Sequence, residues 1–179
     1  MPSTNKSLKT LMLTLHTKVT HADKIDGELV LPYDLREKSR LRAAMVSGEE
    51  VAVFTVRGTV LRHGDFLKGD DGRIVKITAA IEATCRVTCD GSQALLRCAF
   101  HLGNRHTQAE VGDGFLRIRR DPVLKDMLIG LGASVTDEQA PFEPESGAYG
   151  GHHHHDGHAQ HPLAPIPLRQ KIHRPSDKS

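Results

Sequence analysis

Apolar residues recur along this chain in two rhythms, and the change between them falls near the middle. In the first part the runs are short and alternate with polar positions. Leu11, Leu13 and Leu15 form one such run and Val51 and Val53 another, separated by turn-rich pieces such as Ala22-Asp-Lys and Ser47-Gly-Glu-Glu. Period-two alternation predicts strands with one buried face. Residues 41–46 and 51–56 flank a turn and predict a hairpin, and residues 59–62 continue in the same manner. His63-Gly-Asp-Phe and Asp70-Asp-Gly-Arg then add further turns. The charged run Arg36-Glu-Lys-Ser-Arg-Leu-Arg is read as a solvated face. The expectation over 1–74 is a small all-β domain.

From about residue 81 the period lengthens. A strand at 81–89 precedes a helix over 92–105, whose Leu95, Ala99 and Leu102 recur at the three-and-four spacing of a buried stripe. Strands follow near 108–111 and 115–119, then a second helix with Asp121 as N-cap and Pro122 at its first position. Its apolar stripe is Val123, Leu124, Met127, Leu128 and Leu131, with Gly132 to end it. A last strand starts within 132–136. The order is βαββαβ, and two helices on one face of a four-stranded antiparallel sheet bury both stripes. The predicted class is therefore α+β, with a ferredoxin-like domain over 75–148 following the all-β domain. Beyond Tyr149 the chain is rich in Gly, His, Pro and Gln with few large apolar residues. Burial there cannot offset the entropy of ordering, so residues 149–179 are expected to be a His-rich tail, disordered without a ligand.

Composition narrows the partners. With 179 residues and 38% hydrophobic content, the chain can build one medium domain or two small ones. A net charge of +2 gives no strong field, so nucleic acid is not an expected partner. The run Leu11-Met-Leu-Thr-Leu15 is too short and too interrupted for a signal-peptide core, and no run approaches the roughly 20 residues a bilayer needs. A cytoplasmic protein without a membrane partner is expected. Cys85, Cys89 and Cys98 make an odd count at no zinc or redox spacing, which fits reduced thiols. On a strand, Cys85, Val87 and Cys89 share one face and are read as core. The anomaly is histidine: seven of the 12 (152, 153, 154, 155, 158, 161 and 173) fall in the last 28 residues.

His106 is the next step on the first helical stripe, four residues after Leu102. On an ideal helix His101 is rotated from it by about 140°, so the two cannot chelate one metal from a single chain. Either His106 is a core or helix-end histidine with a satisfied hydrogen bond, or its co-ligands come from elsewhere. His152, His153, His154, His155, His158 and His161 supply such ligands in bulk. Neutral imidazole suits nickel, zinc and copper, and a string of imidazoles binds readily but selects poorly. A purification tag is a poor account of a tract with four consecutive histidines and 18 further residues after His161. A hydrolytic zinc enzyme would need a rigid three-ligand site and a placed base, and the chain contains no His-Glu-x-x-His or comparable constellation.

Three segments, taken in order and spacing, carry a family likeness: His101-Leu-Gly-Asn-Arg-His106, Asp121-Pro-Val-Leu-Lys-Asp-Met127, and Pro141-Phe-Glu-Pro-Glu-Ser-Gly-Ala-Tyr-Gly150 running into the histidine cluster. They resemble the nickel chaperones of urease maturation, the UreE type, well over about 60–161 and in general character before that. The resemblance implies a metallochaperone and not an enzyme, with Ni2+ as its cargo and Zn2+ or Cu2+ acceptable in vitro. It implies a homodimer in which His106 lies at a two-fold interface, where an isologous contact brings the residue to its own copy. Tail histidines would then complete the open coordination positions. Glu145 to His152 is seven residues, up to about 23 Å if extended, enough to fold back. The implied partners are the urease accessory GTPase (UreG) and the apo-urease activation complex, with a peptide-binding role for the first domain. Some relatives carry further histidines just before and at the start of the second helix, where this chain has Arg120 and Pro122. The alternative is a passive nickel or zinc buffer that uses only its tail.

Overall fold

The computed structural model describes residues 12–146. The expected disordered tail, with His152, His153, His154, His155, His158 and His161, lies outside the described residues.

The alternating half forms a six-stranded sheet from β1 (Leu13–Val19), β2 (Gly27–Leu31), β3 (Arg40–Ala44), β4 (Glu50–Phe54), β5 (Phe66–Gly69) and β6 (Ile74–Ala79). Its strand order is β2-β6-β5-β1-β4-β3. Leu13 and Leu15 of β1 lie beside Val51 and Val53 of β4 in parallel register, so one buried row continues across the sheet. The expected hairpin is β3 with β4. The strand expected at 59–62 does not form. Leu61 is buried, but its N–H goes to the Arg36 carbonyl at 2.9 Å and the Arg62 N–H to the Asp65 carboxylate at 2.8 Å. Those backbone groups are satisfied by the end of α1 and by a nearby side chain, so they join no ladder. One turn of helix, α1 (Tyr33–Arg36), was not foreseen, and the sheet runs on to Ala79, past the 74/75 division read from the sequence.

The second half is β7 (Ile81–Thr88), α2 (Ser92–Gly103), β8 (Ala109–Gly112), β9 (Phe115–Arg119), α3 (Pro122–Gly130) and β10 (Ser134–Pro141). The sheet order is β10-β7-β9-β8 with every pairing antiparallel, which is the ferredoxin-like arrangement expected. Cys85, Val87, Leu116 and Ile118 of the sheet meet Cys98 and Leu102 of α2 and Leu128 of α3 in a second core. The start of α3 is as predicted. The Asp121 carboxylate accepts from the N–H groups of Val123 and Leu124 at 2.8 and 2.9 Å, a cap worth about 1 kcal/mol. Among the described residues no helix is long and apolar enough to cross a membrane.

Where the two sheets meet, the structure corrects the reading of the charged run. Arg36 is not on a solvated face but 0% exposed. Its Nε donates to the Leu31 carbonyl and Nη1 to the Leu61 carbonyl, both at 3.1 Å, while Nη2 donates to the Phe142 carbonyl at 2.6 Å. Nη1 also bonds the Glu143 carboxylate. A guanidinium can be buried at this depth because its donors are met and its charge is paired. Tyr33 and Phe142 pack edge to face at 5.7 Å beside it, and the Glu82 carboxylate accepts the Tyr33 N–H at 2.8 Å.

Candidate metal centre

The sequence placed His106 on the buried stripe of α2. Instead the helix ends at Gly103, and His106 stands outside it, exposed, with φ 52°. It is the one non-glycine residue with positive φ among the described residues. The local hydrogen bonds explain why. The His106 N–H donates to the Gly103 carbonyl at 2.9 Å and the Thr107 N–H to the Leu102 carbonyl at 3.1 Å. These are the paired closing bonds of a Schellman motif, with His106 in the left-handed position that glycine usually fills. Gly103 and Asn104, weak helix formers, directly precede the turn. Leu102, 1% exposed, fixes the carbonyl that closes it.

Leu96 and Phe100, one turn apart on α2, are 69% and 65% exposed. His101 is half-buried and its ring meets Phe100 edge to face at 5.5 Å. Among the described residues no three His, Cys, Asp or Glu side chains gather to hold a metal ion. His63 serves structure: its Nδ1 accepts the Ala79 N–H at 3.3 Å. The thiols belong to the core, as read from the sequence. Burial pushes Cys98 up to about 11 and raises Cys85 as well, so both stay protonated. Arg120 pairs with Asp137 at 3.4 Å and Pro122 opens α3, so neither place offers an auxiliary ligand.

The segment after β10 was read only as an exit and a family signature. It is a strap, with Phe142 and Pro144 buried. The Glu143 N–H donates to the Glu110 carboxylate at 2.9 Å and the Glu145 N–H to the Ala109 carbonyl at 2.9 Å. Arg62 donates to the Pro144 carbonyl at 2.8 Å, to Ser146 Oγ at 2.6 Å and to Glu143 at 3.2 Å. The strap therefore ends beside Ala109, three residues along the chain from His106. Periodicity could not have found Arg36, Arg62 or Glu143. The signal available was a glutamate between two prolines, with no indication of its partners.

Two family descriptions divide the chain: "UreE urease accessory protein, N-terminal domain" matches residues 10–80, and "UreE urease accessory protein, C-terminal domain" matches 82–164. A urease accessory protein UreE of Janthinobacterium sp. (strain Marseille) is 75% identical over 171 residues, covering 94% of this chain and 99% of the relative. That of Nitrosospira multiformis is 67% identical over 172 residues, with 93% and 98% covered. That of Pseudomonas fluorescens is 51% identical over 148 residues, with 82% and 89% covered. Likeness of this extent reaches from the first strand of the first sheet to the histidine segment, so the chain belongs to the UreE family of urease accessory proteins, non-catalytic chaperones that deliver nickel for urease maturation.

Proposed function

We propose that this protein carries Ni2+ in the cytoplasm as a homodimer, with one His106 from each chain meeting at a two-fold axis. Histidines 152, 153, 154, 155, 158 and 161 of the tail would complete the coordination and take up further metal. The observation that carries the reading is the exposed imidazole of His106, held in a left-handed turn beside exposed Leu96 and Phe100. Such a backbone conformation is unfavourable for a non-glycine residue and concentrates at functional positions. An apolar pair next to it suits a self-complementary contact, and two imidazoles around one axis leave positions open for the tail. Zn2+ or Cu2+ would be accepted in vitro, because imidazole does not exclude them.

From that site the metal would pass to the urease accessory GTPase (UreG) and the apo-urease activation complex. The first sheet would contribute peptide binding. In support, an open groove of about 370 Å³ lies on the face of the first sheet across β1, β4 and β3, lined by Thr14, Arg40, Arg42, Ala52 and Phe54, and β3 is an edge strand. An edge strand offers free backbone groups to an added strand.

The test is His106→Ala beside His101→Ala, with nickel titration by calorimetry, sedimentation, and GTP-dependent urease activation. His106→Ala should lose the tightest site and fail in activation while keeping most of the total uptake. His101→Ala should do much less. Equal binding and delivery by His106→Ala would make the histidine a helix terminator only, and a protein dispensable for activation would be a passive buffer.

A further inference from the structure

We propose that Cys89 and Cys98 form a redox-modification site, a thiol pair that a peroxide closes to a reversible disulfide, fastening α2 to the end of β7.

The starting point is a contact between sulfurs. Cys89 directly follows β7, Cys98 lies midway along α2, and their Sγ atoms are 3.8 Å apart. A disulfide holds its sulfurs about 2.0 Å apart, so the pair has about 1.8 Å to close. Cys89 has room to make that movement. It is half-buried and begins a turn in which Gly91, at φ 107°, donates its N–H to the Cys89 carbonyl at 2.9 Å. Cys98 is 0% exposed and packed in the second core. Cys85 is placed differently, because its thiol donates to the Asp137 carboxylate at 3.3 Å. The odd count of cysteines therefore resolves into one pair and one thiol tied to an oxygen.

The difference in burial assigns the roles. Peroxide reacts with an accessible sulfur in its thiolate form. Burial pushes Cys98 up to about 11, which keeps it protonated as well as out of reach of solvent. Cys89 is thus the sulfur attacked. Its thiolate breaks the O–O bond of hydrogen peroxide and takes one oxygen, giving a sulfenic acid, and the hydroxide released joins the former thiol proton as water. Cys98 then attacks the Cys89 sulfur. The S–S bond forms as the S–O bond breaks, and the hydroxyl leaves with the Cys98 proton as a second water. Two thiols and one peroxide give one disulfide and two waters, with two electrons passed from sulfur to oxygen. A small dithiol reverses the step by exchange and is itself oxidised to its disulfide.

α2 is the element that stands to gain from such a staple. Its buried residues are Cys98 and Leu102 alone, and its N-cap Gly91 makes no side-chain bond. The same helix leads into the turn that presents His106.

The test treats the full-length, reduced protein with hydrogen peroxide and titrates its thiols in denaturant. The count should fall from three to one and return to three with dithiothreitol. Peptide mapping without reductant should find Cys89 joined to Cys98 within one chain. In Cys98→Ala the reaction should stop at the Cys89 sulfenic acid, which dimedone captures. In Cys89→Ser the two remaining thiols should survive the same treatment, and this half-buried position spares the core where Cys98→Ala does not fold. Closing a loop of about ten residues should raise the thermal midpoint by about 5–10 °C and slow amide exchange in α2. Three thiols that persist in the wild type overturn the proposal, as does a link between chains or an equal loss of thiols in Cys89→Ser. A disulfide that forms without raising the midpoint overturns the fastening of α2.

Discussion

The two helices of the second unit end in the same way, and they differ in the residue that takes the left-handed position. At the end of α3 the Gly132 N–H donates to the Ile129 carbonyl at 2.9 Å and the Ala133 N–H to the Leu128 carbonyl at 3.0 Å. At the end of α2 the same pair of bonds joins His106 to Gly103 and Thr107 to Leu102. In both, a buried leucine supplies the closing carbonyl. The left-handed position holds Gly132 at φ 90° in one helix and His106 at φ 52° in the other. The first choice is what backbone sterics favour, because glycine has no Cβ to clash. The second carries a steric cost of about 1 kcal/mol, and what it gains is an imidazole held clear of its own helix. The chain follows the local rule where nothing else is asked and breaks it at the nickel candidate.

Exchanging the residues sharpens that contrast. His106→Gly keeps the turn and removes the ligand. The tightest nickel site should disappear, delivery should fail, and the apoprotein should become more stable by about 0.5–1 kcal/mol, read as a few degrees in thermal unfolding. Loss of stability together with intact nickel binding would reverse the interpretation. Gly132→Ala is the mirror experiment. No atom lies near the added methyl, so only the backbone conformation resists it, and stability should fall by about 1 kcal/mol with nickel binding unchanged. Acid should separate the two ends further. Protons compete with nickel for imidazole, so bound metal should leave as pH falls through about 6.5, while both helix ends remain folded. Uptake that persists well below that pH would point to carboxylate ligands.

The parts of the fold governed by local rules were legible in the chain. Asp121, Pro122 and Gly132 bracket α3 as capping chemistry requires, and the alternation of Leu13 and Leu15 with Val51 and Val53 placed the strands of the first core. The site was legible only in its residue types. Spacing carried the stripe one step too far, from Leu102 to His106, because a Schellman turn reverses the backbone there and a histidine in place of glycine concealed it. Arg36 was misread for a different reason. A charged run gives no sign of which member turns inward, and the partner that allows it, Glu143, is more than a hundred residues away. Long-range ion pairs follow no period, so pattern reading cannot reach them.

The smallest expected effect concerns how α3 is fastened, compared with α2. The α2 N-cap, Gly91, makes no side-chain cap bond, whereas α3 has the Asp121 cap and also a tie to the neighbouring strand through Asp137 of β10. Lys125 on α3 reaches Asp137 at 2.7 Å, the Cys85 thiol donates to it at 3.3 Å, and Arg120 lies 3.4 Å away. The Lys125 hydrogen bond foremost, and then that of Cys85, hold the Asp137 carboxyl below its ordinary value. A carboxyl that is more acidic in the folded than in the unfolded chain contributes stability above its unfolded value of about 3.9. That contribution is lost as pH falls through the depressed folded value. Asp137→Asn removes the titration. Urea unfolding across pH 6 to pH 2 should find the variant slightly less stable at the upper end, with the two curves converging in acid and nickel uptake equal at neutral pH. The pair is partly exposed, so salt should narrow the gap at the upper end. A gap that stays constant across the whole range would mean that Asp137 fastens the helix by shape alone, and that the tie to α3 is not electrostatic.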